Sequence, residues 1–296
     1  MHGKEAPFEQ YDHIPAKRFI RRSRNKKEDF PMNIVLRELR ANRKSLIIWS
    51  VSMALLILVG MVKYSGIEAA GQSVNELFDQ LPEALKSIFG MTGIDLTSIS
   101  GYYAIFFLYF MLLAGVHAIL LGAVIISKEE RDKTADFLFV KPIVRSKVIT
   151  AKLIAVLINI TVLNIVTLIS SVVFVAMYNK GEPFNAEIIK LMIALYVLQI
   201  EFAALGAGIS ALTKNTKKAA SFATFLLLAT FMLSVGIDLY DKIDFLKYFT
   251  PFKYFIAAEI MNGGSVDLLF VLLSVVIVVA SLLLTYRNFQ KRDINI

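Results

Sequence analysis

The sequence predicts an all-α integral membrane protein with six transmembrane helices, and three observations predict it. The chain is 56% hydrophobic and only 19% charged, where soluble domains carry about 25% charged residues, and its mean hydropathy is +0.62. Six runs are long and apolar enough to cross a bilayer core, which takes about 20 helical residues for about 30 Å. The basic residues collect on one side of those runs.

Residues 1–31 hold no apolar core of the kind a cleavable leader needs, and Lys17–Lys27 is basic and polar. They read either as a flexible basic extension on the cytoplasmic side that touches anionic lipid, or as an over-extended start before Met32. From Asn33 to Lys44, Val35, Leu36 and Leu39 alternate with Arg37, Arg40, Arg43 and Lys44. A helix with that pattern lies along the inner surface and leads into the first span.

The spans are expected at Leu46–Val62, Tyr102–Ile126, Val148–Tyr178, Ile188–Leu212, Ala219–Ile237 and Val266–Tyr286. Lys152 is read at the edge of the third, whose core then starts near Leu153. The first is the shortest, and Lys44 and Lys63 extend it by snorkelling. Six spans put both termini on one side. That side carries 25 of the 32 Lys and Arg, in the N-terminal segment, the loops Ser127–Lys152 and Thr213–Lys218, and the tail. This excess places both termini in the cytoplasm. The net charge of +8 is therefore a membrane signature, and nucleic acid is not an expected partner.

Two segments on the outer side are more than connectors. Ser73–Gly90 sets Val74, Leu77, Phe78, Leu81, Leu85, Ile88 and Phe89 at helical spacing. Pro82 suits the first turn of a second short helix. The segment reads as an amphipathic helix in the outer headgroup layer, with a lid over an exit path as the alternative. Phe245–Met261 is aromatic and broken by Pro251. It is expected to hold ordinary interface anchors, unless it re-enters the membrane.

Several chemistries are excluded. There is no Cys, hence no disulfide or thiol nucleophile. Three His, at 2, 13 and 117, make no metal centre. The chain has no G-x-x-x-x-G-K-[ST], H-E-x-x-H or G-x-S-x-G. The polar residues inside spans are few. Asn159, Asn164, Gln199 and Glu201 are candidates for a translocation path, with interhelical hydrogen bonding as the other reading. Glu201, near the middle of the fourth span, costs about 2.5–3.5 kcal/mol at the bilayer centre and must face protein or water. It marks either a substrate or proton path or a protonated interhelical contact. His117 reads as a hydrogen-bonded packing residue. After Glu201, Ala203, Ala204, Ala207, Gly208 and Ala211 form small-x-x-x-small patterns that admit a close helix, within the subunit or across a dimer axis.

The charged loop Ser127–Lys152 is the most informative stretch. Glu129, Glu130, Arg131, Asp132 and Lys133 continue the second span as a polar helix, and Thr134, Phe137 and neighbouring apolar residues follow. Pro142 ends the helix, and Arg145, Ser146 and Lys147 lead back to the membrane. On physical grounds alone, a force-transmitting lever and a plain solvated hairpin stand level.

At this point the chain resembles the permease subunits of type-2 ABC exporters, the ABC-2 transporter family. The likeness rests on the acidic pair Glu129–Glu130, then Thr134, Pro142, Arg145 and the Lys152 of the next span. The short inner loop ALTKNTKKAASFA and the terminus YRNFQKRDINI are also similar to the family's, in the same order along six spans. Lys133 departs from the Gly common there, and residues 1–31 lie outside the resemblance. The resemblance implies one permease domain over 32–296 that pairs with a second permease subunit, the same or homologous. Two ABC ATP-binding subunits dock below it and hold ATP and Mg, so this chain itself binds no cofactor and is not an enzyme. It further implies a coupling helix among Glu129–Lys147 and a docking surface at Arg37, Arg40, Arg43 and Lys44. The expected location is a bacterial or archaeal cell membrane. The competing reading from the residues is a stand-alone channel or secondary transporter using Glu201.

Overall fold

The computed structural model describes residues 32–89, 94–128, 144–179, 185–213, 215–261, 263–264 and 266–291. Among them there is no strand, and six helices are long and apolar enough to cross a membrane. In chain order the helices are α1 (Met32–Ala70), α2 (Gln72–Asp79), α3 (Glu83–Ile88), α4 (Ile99–Ile125), α5 (Arg145–Tyr178), α6 (Asn185–Leu212), α7 (Thr216–Leu239), α8 (Ala257–Met261) and α9 (Leu268–Lys291). Two 3-10 segments, Asp241–Phe249 and Pro251–Lys253, stand between α7 and α8.

Side-chain caps start two of the spanning helices. Ser98 accepts from the Gly101 amide before α4. Asn215 accepts from the Lys217 and Lys218 amides before α7. Each cap satisfies amides that have no partner within the helix. At the end of α1, Gly71 turns the chain into α2 at φ 64°, a conformation that favours glycine.

The first helix is much longer than the apolar run Leu46–Val62. Its 39 residues run about 58 Å at 1.5 Å each, far beyond the bilayer core. The segment Asn33–Lys44 is the first part of this helix, with no break before the apolar run. Its Ile34, Val35 and Glu38 are buried against the protein. The charged stretch thus leads into the first span as one continuous helix.

α4 and α6 form the centre. Their most apolar stretches are 56% and 61% buried, against 11% for α9. They meet along their length, with α1 packed on α5, α9 on α6 and α7 on α4. Glycine permits the central contact. A Cβ on Gly122 would sit 2.1 Å from the Ala203 carbonyl oxygen, and one on Gly206 2.2 Å from that of Ile119. The small residues of α6 therefore serve packing within the subunit, and Gly208 faces α9 at Ser281.

The aromatic segment 245–261 does more than anchor at an interface. The Thr250 hydroxyl donates to the Thr230 carbonyl, nine residues back along α7 from Leu239, or about 14 Å. Phe252 is buried and packs on Phe202 of α6 and Phe231 of α7, each at 5.4 Å between ring centres. The chain thus turns back into the bundle along α7, and α8 lies against α4 and α6. Phe245, Tyr248 and Phe249 stay exposed, as interface anchors would. Pro82 caps α3 from outside, and Leu77, Leu85, Ile88 and Phe89 of the α2–α3 pair are exposed.

Candidate functional site

One end of the bundle gathers the roots of the charged loop, with basic residues and several polar ties between helices around them. The central helices end there, and their last carbonyls need partners. Lys152, buried in the third turn of α5, donates its ammonium to the Ile125 carbonyl at the end of α4. The sequence places Lys152 at the edge of the third apolar run, and the structure adds that its side chain is buried in the protein. It is an interior side chain of a helix that begins two turns earlier, at Arg145.

A carboxylate balances that ammonium. Glu38 of α1 is fully buried, and its oxygens lie 3.9 Å from Lys152, 3.3 Å from Lys128 and 3.0 Å from Arg37. Burying a lone carboxylate is costly, and several cations around it make the burial tolerable. Glu38 was not singled out in the sequence. The available signal was an acid at the centre of a basic stretch, one helical turn from Ile34 and Val35.

A second tie forms around Ser127. Its hydroxyl accepts from Ser210 of α6 at 3.0 Å, and its carbonyl accepts from Thr216 of α7 at 3.1 Å. A third joins α5 to α9: the Thr150 and Tyr286 hydroxyls meet at 2.8 Å, and Arg145 donates to the Gln290 carbonyl at 3.3 Å. All six spanning helices are thus tied at this end, and the ties converge on the two roots of the segment 129–143. Lys147 is half-buried at the second root. Arg37, Arg40, Arg43 and Lys44 are exposed along the start of α1. Glu129, Glu130, Arg131, Asp132, Lys133, Thr134, Phe137 and Pro142 lie outside the described residues.

The intramembrane polar residues divide into separate groups. Asn164 donates to the Met192 carbonyl at 3.1 Å and to Gln199 at 3.3 Å, joining α5 to α6. Asn159 bonds back to the Ala155 carbonyl of its own helix. Glu201 points elsewhere, beside Ser274 of α9 and near Tyr254. It is buried, and neither carboxyl oxygen has a hydrogen-bond partner among the described residues. Asn164 and Gln199 are therefore together, while Glu201 is apart from them. His117 packs its ring on Trp49 at 5.4 Å, and its Nδ1 has no hydrogen-bond partner among the described residues. It is a packing residue by ring contact.

A groove of about 350 Å³ lies beside the third tie, between α5, α6 and α9. Its walls include Ile154, Leu157, Ala203, Ala204 and Leu282, with Thr150 and Tyr286 at one end. Such a surface suits hydrocarbon.

Comparison with known proteins agrees with this arrangement of a multi-pass membrane protein. A search of curated proteins returns no match. The family model described as ABC-2 family transporter protein matches residues 32–294, which span all six long helices and both roots of the charged segment. Proteins of this kind are the membrane-embedded subunits of ABC-type transport, distinct from the nucleotide-binding ones. The chain belongs to the ABC-2 transporter family.

Proposed function

We propose that this chain is the permease subunit of an exporter driven by a separate ATPase. It pairs with a second permease, the same or homologous, above two copies of an ATP-binding subunit that hold ATP and Mg. Its basic end faces the cytoplasm of a bacterial or archaeal cell membrane, as the excess of Lys and Arg there favours. The segment Glu129–Lys147 is the element the ATPase moves. Arg37, Arg40, Arg43 and Lys44 flank it as a docking surface.

The observation that carries this reading is the set of ties at both roots of the segment. Ser127 and Lys128 bind it to α1, α6 and α7. Arg145, Thr150 and Lys152 bind it to α9, α4 and α1. A push on such a segment reaches every spanning helix, and a solvated hairpin needs no such anchoring.

The test is co-purification with the ATP-binding subunit, then reversal of Glu129 and Glu130 to Lys. The reversed chain should lose the partner, or keep it and transport at least about tenfold more slowly, as charge reversal at an interface does. The isolated chain should hydrolyse no ATP. A reversed chain that holds its partner and transports normally would remove the segment from the mechanism.

A second reading keeps Glu201 as the working group of a stand-alone channel or secondary transporter. Its support is the buried carboxyl with no hydrogen-bond partner among the described residues. Gradient-driven flux in vesicles lacking any ATPase, abolished by Glu201→Gln, would favour it over the exporter.

A further inference from the structure

Glu38 occupies an unusual place. It sits in the most basic stretch of the described chain, yet its side chain is fully buried. The cations around it come from three parts of the sequence. Arg37 is its neighbour on α1. Lys128 stands immediately before the segment 129–143, and Lys152 is on α5 just after it. Lys152 also holds the last turn of α4 through the Ile125 carbonyl. One carboxylate therefore meets both roots of the segment and the helix that leads into the first span.

We infer that Glu38 is a positioning residue, a latch that makes α1, the end of α4 and the start of α5 move as one unit when the segment is displaced. The inference rests on the proposed role of that segment. The physical case is the nature of the contact. An apolar residue at position 38 would fill the space and allow sliding. A buried carboxylate instead requires its ammonium partners close by, because separation leaves charge stranded away from water. Such a joint is closed or open, with little between. The carboxylate also gives Lys152 a partner in the interior, where long basic side chains otherwise reach for solvent.

The experiment uses the full chain in lipid nanodiscs. The chain has no Cys of its own, so spin labels go on cysteines introduced at Leu36 and Val144. Both positions are exposed, and they lie on α1 and at the root of α5. The parent should show one narrow label-to-label distance. Glu38→Gln should widen that distribution to about twice its width, the slack of an opened joint. Glu38→Asp, which keeps the charge, should restore most of it. Lys63→Gln, an exposed cation farther along α1 and outside the docking surface, should leave it unchanged. If Glu38→Gln does not fold, Lys128→Gln removes one arm of the latch at a half-buried site and should widen the distribution in the same way. A distribution as narrow in the Gln variants as in the parent overturns the latch.

The same labelled chains are then bound to the co-purifying ATP-binding subunit and trapped with ATP and vanadate. The parent should shift its distance as a single population. Glu38→Gln should bind the subunit equally well and give a mixture of shifted and unshifted distances. A parent that binds no ATP-binding subunit counts against the exporter reading alone, because the distances in the chain by itself still judge the latch.

Discussion

Gly122 and Gly206 decide how closely the two central helices approach. Each faces backbone on the other helix, so no side-chain rotation can relieve an added Cβ. Gly206→Val should force α4 and α6 apart at a cost of about 1–3 kcal/mol or more, read as a lower thermal midpoint in detergent and a lower folded yield. The small-residue stripe of α6 was legible in sequence, but a stripe names a face and not its partner. Both an intramolecular and a dimer contact fitted it until Ile119 and Ala203 were seen against the glycines. Lys152 teaches the same lesson for charge. A lysine near the start of an apolar run marks the edge of that run and names no partner, because the acid it meets is 114 positions away, at Glu38. Lys152→Met should destabilise the fold by about 1–3 kcal/mol. The loss stays below the 3–5 kcal/mol of a fully orphaned charge because Arg37 and Lys128 remain. Removing Glu38 as well should recover part of it, which a double-mutant cycle on thermal midpoints would measure.

Among the elements, the segment between α7 and α9 and the turn before α4 carry most of what the sequence left open. Aromatic residues around a proline mark an interface in composition, and composition cannot tell a chain that rests on the membrane from one that turns back into the bundle. The Thr250 bond to Thr230 and the seat of Phe252 between Phe202 and Phe231 decide it. Phe252→Ala should cost about 3–5 kcal/mol and expose 241–261 to protease while the basic end stays intact. Before α4, Asp95 accepts from the Thr97 hydroxyl and amide and from Asn75 of α2. Those bonds, the Thr97 hydroxyl first, hold its carboxyl below the ordinary value of 3.8. A lowered carboxylate stabilises the fold above its unfolded pKa, and the stabilisation fades as pH falls through the folded one. The α2 connection should therefore keep its hydrogen-exchange protection at neutral and mildly acidic pH and lose it progressively below pH 3.8. Asp95→Asn should flatten that dependence.

For the whole molecule, chemistry on intact membranes tests the orientation. A chain with no Cys suits single-cysteine labelling. Cysteines at Arg43, Val144 and Leu212 should react with an impermeant maleimide only from the cytoplasmic side, and those at Leu77 and Tyr240 only from the other. A reversed pattern would invert the placement of the charged segment. The sequence by itself determined the all-helical class, the number of spans and their approximate limits, because a bilayer demands runs of apolar residues that are local and countable. It also placed the charged loop, since charge is excluded from those runs. The tertiary structure alone decided which polar residues meet. Asn164 found Gln199, Glu201 faced Ser274 away from both, and Glu38 drew in Lys128 and Lys152. Each pairing spans helices far apart in the chain, and a buried polar group chooses its partner by position in space, which no local pattern records.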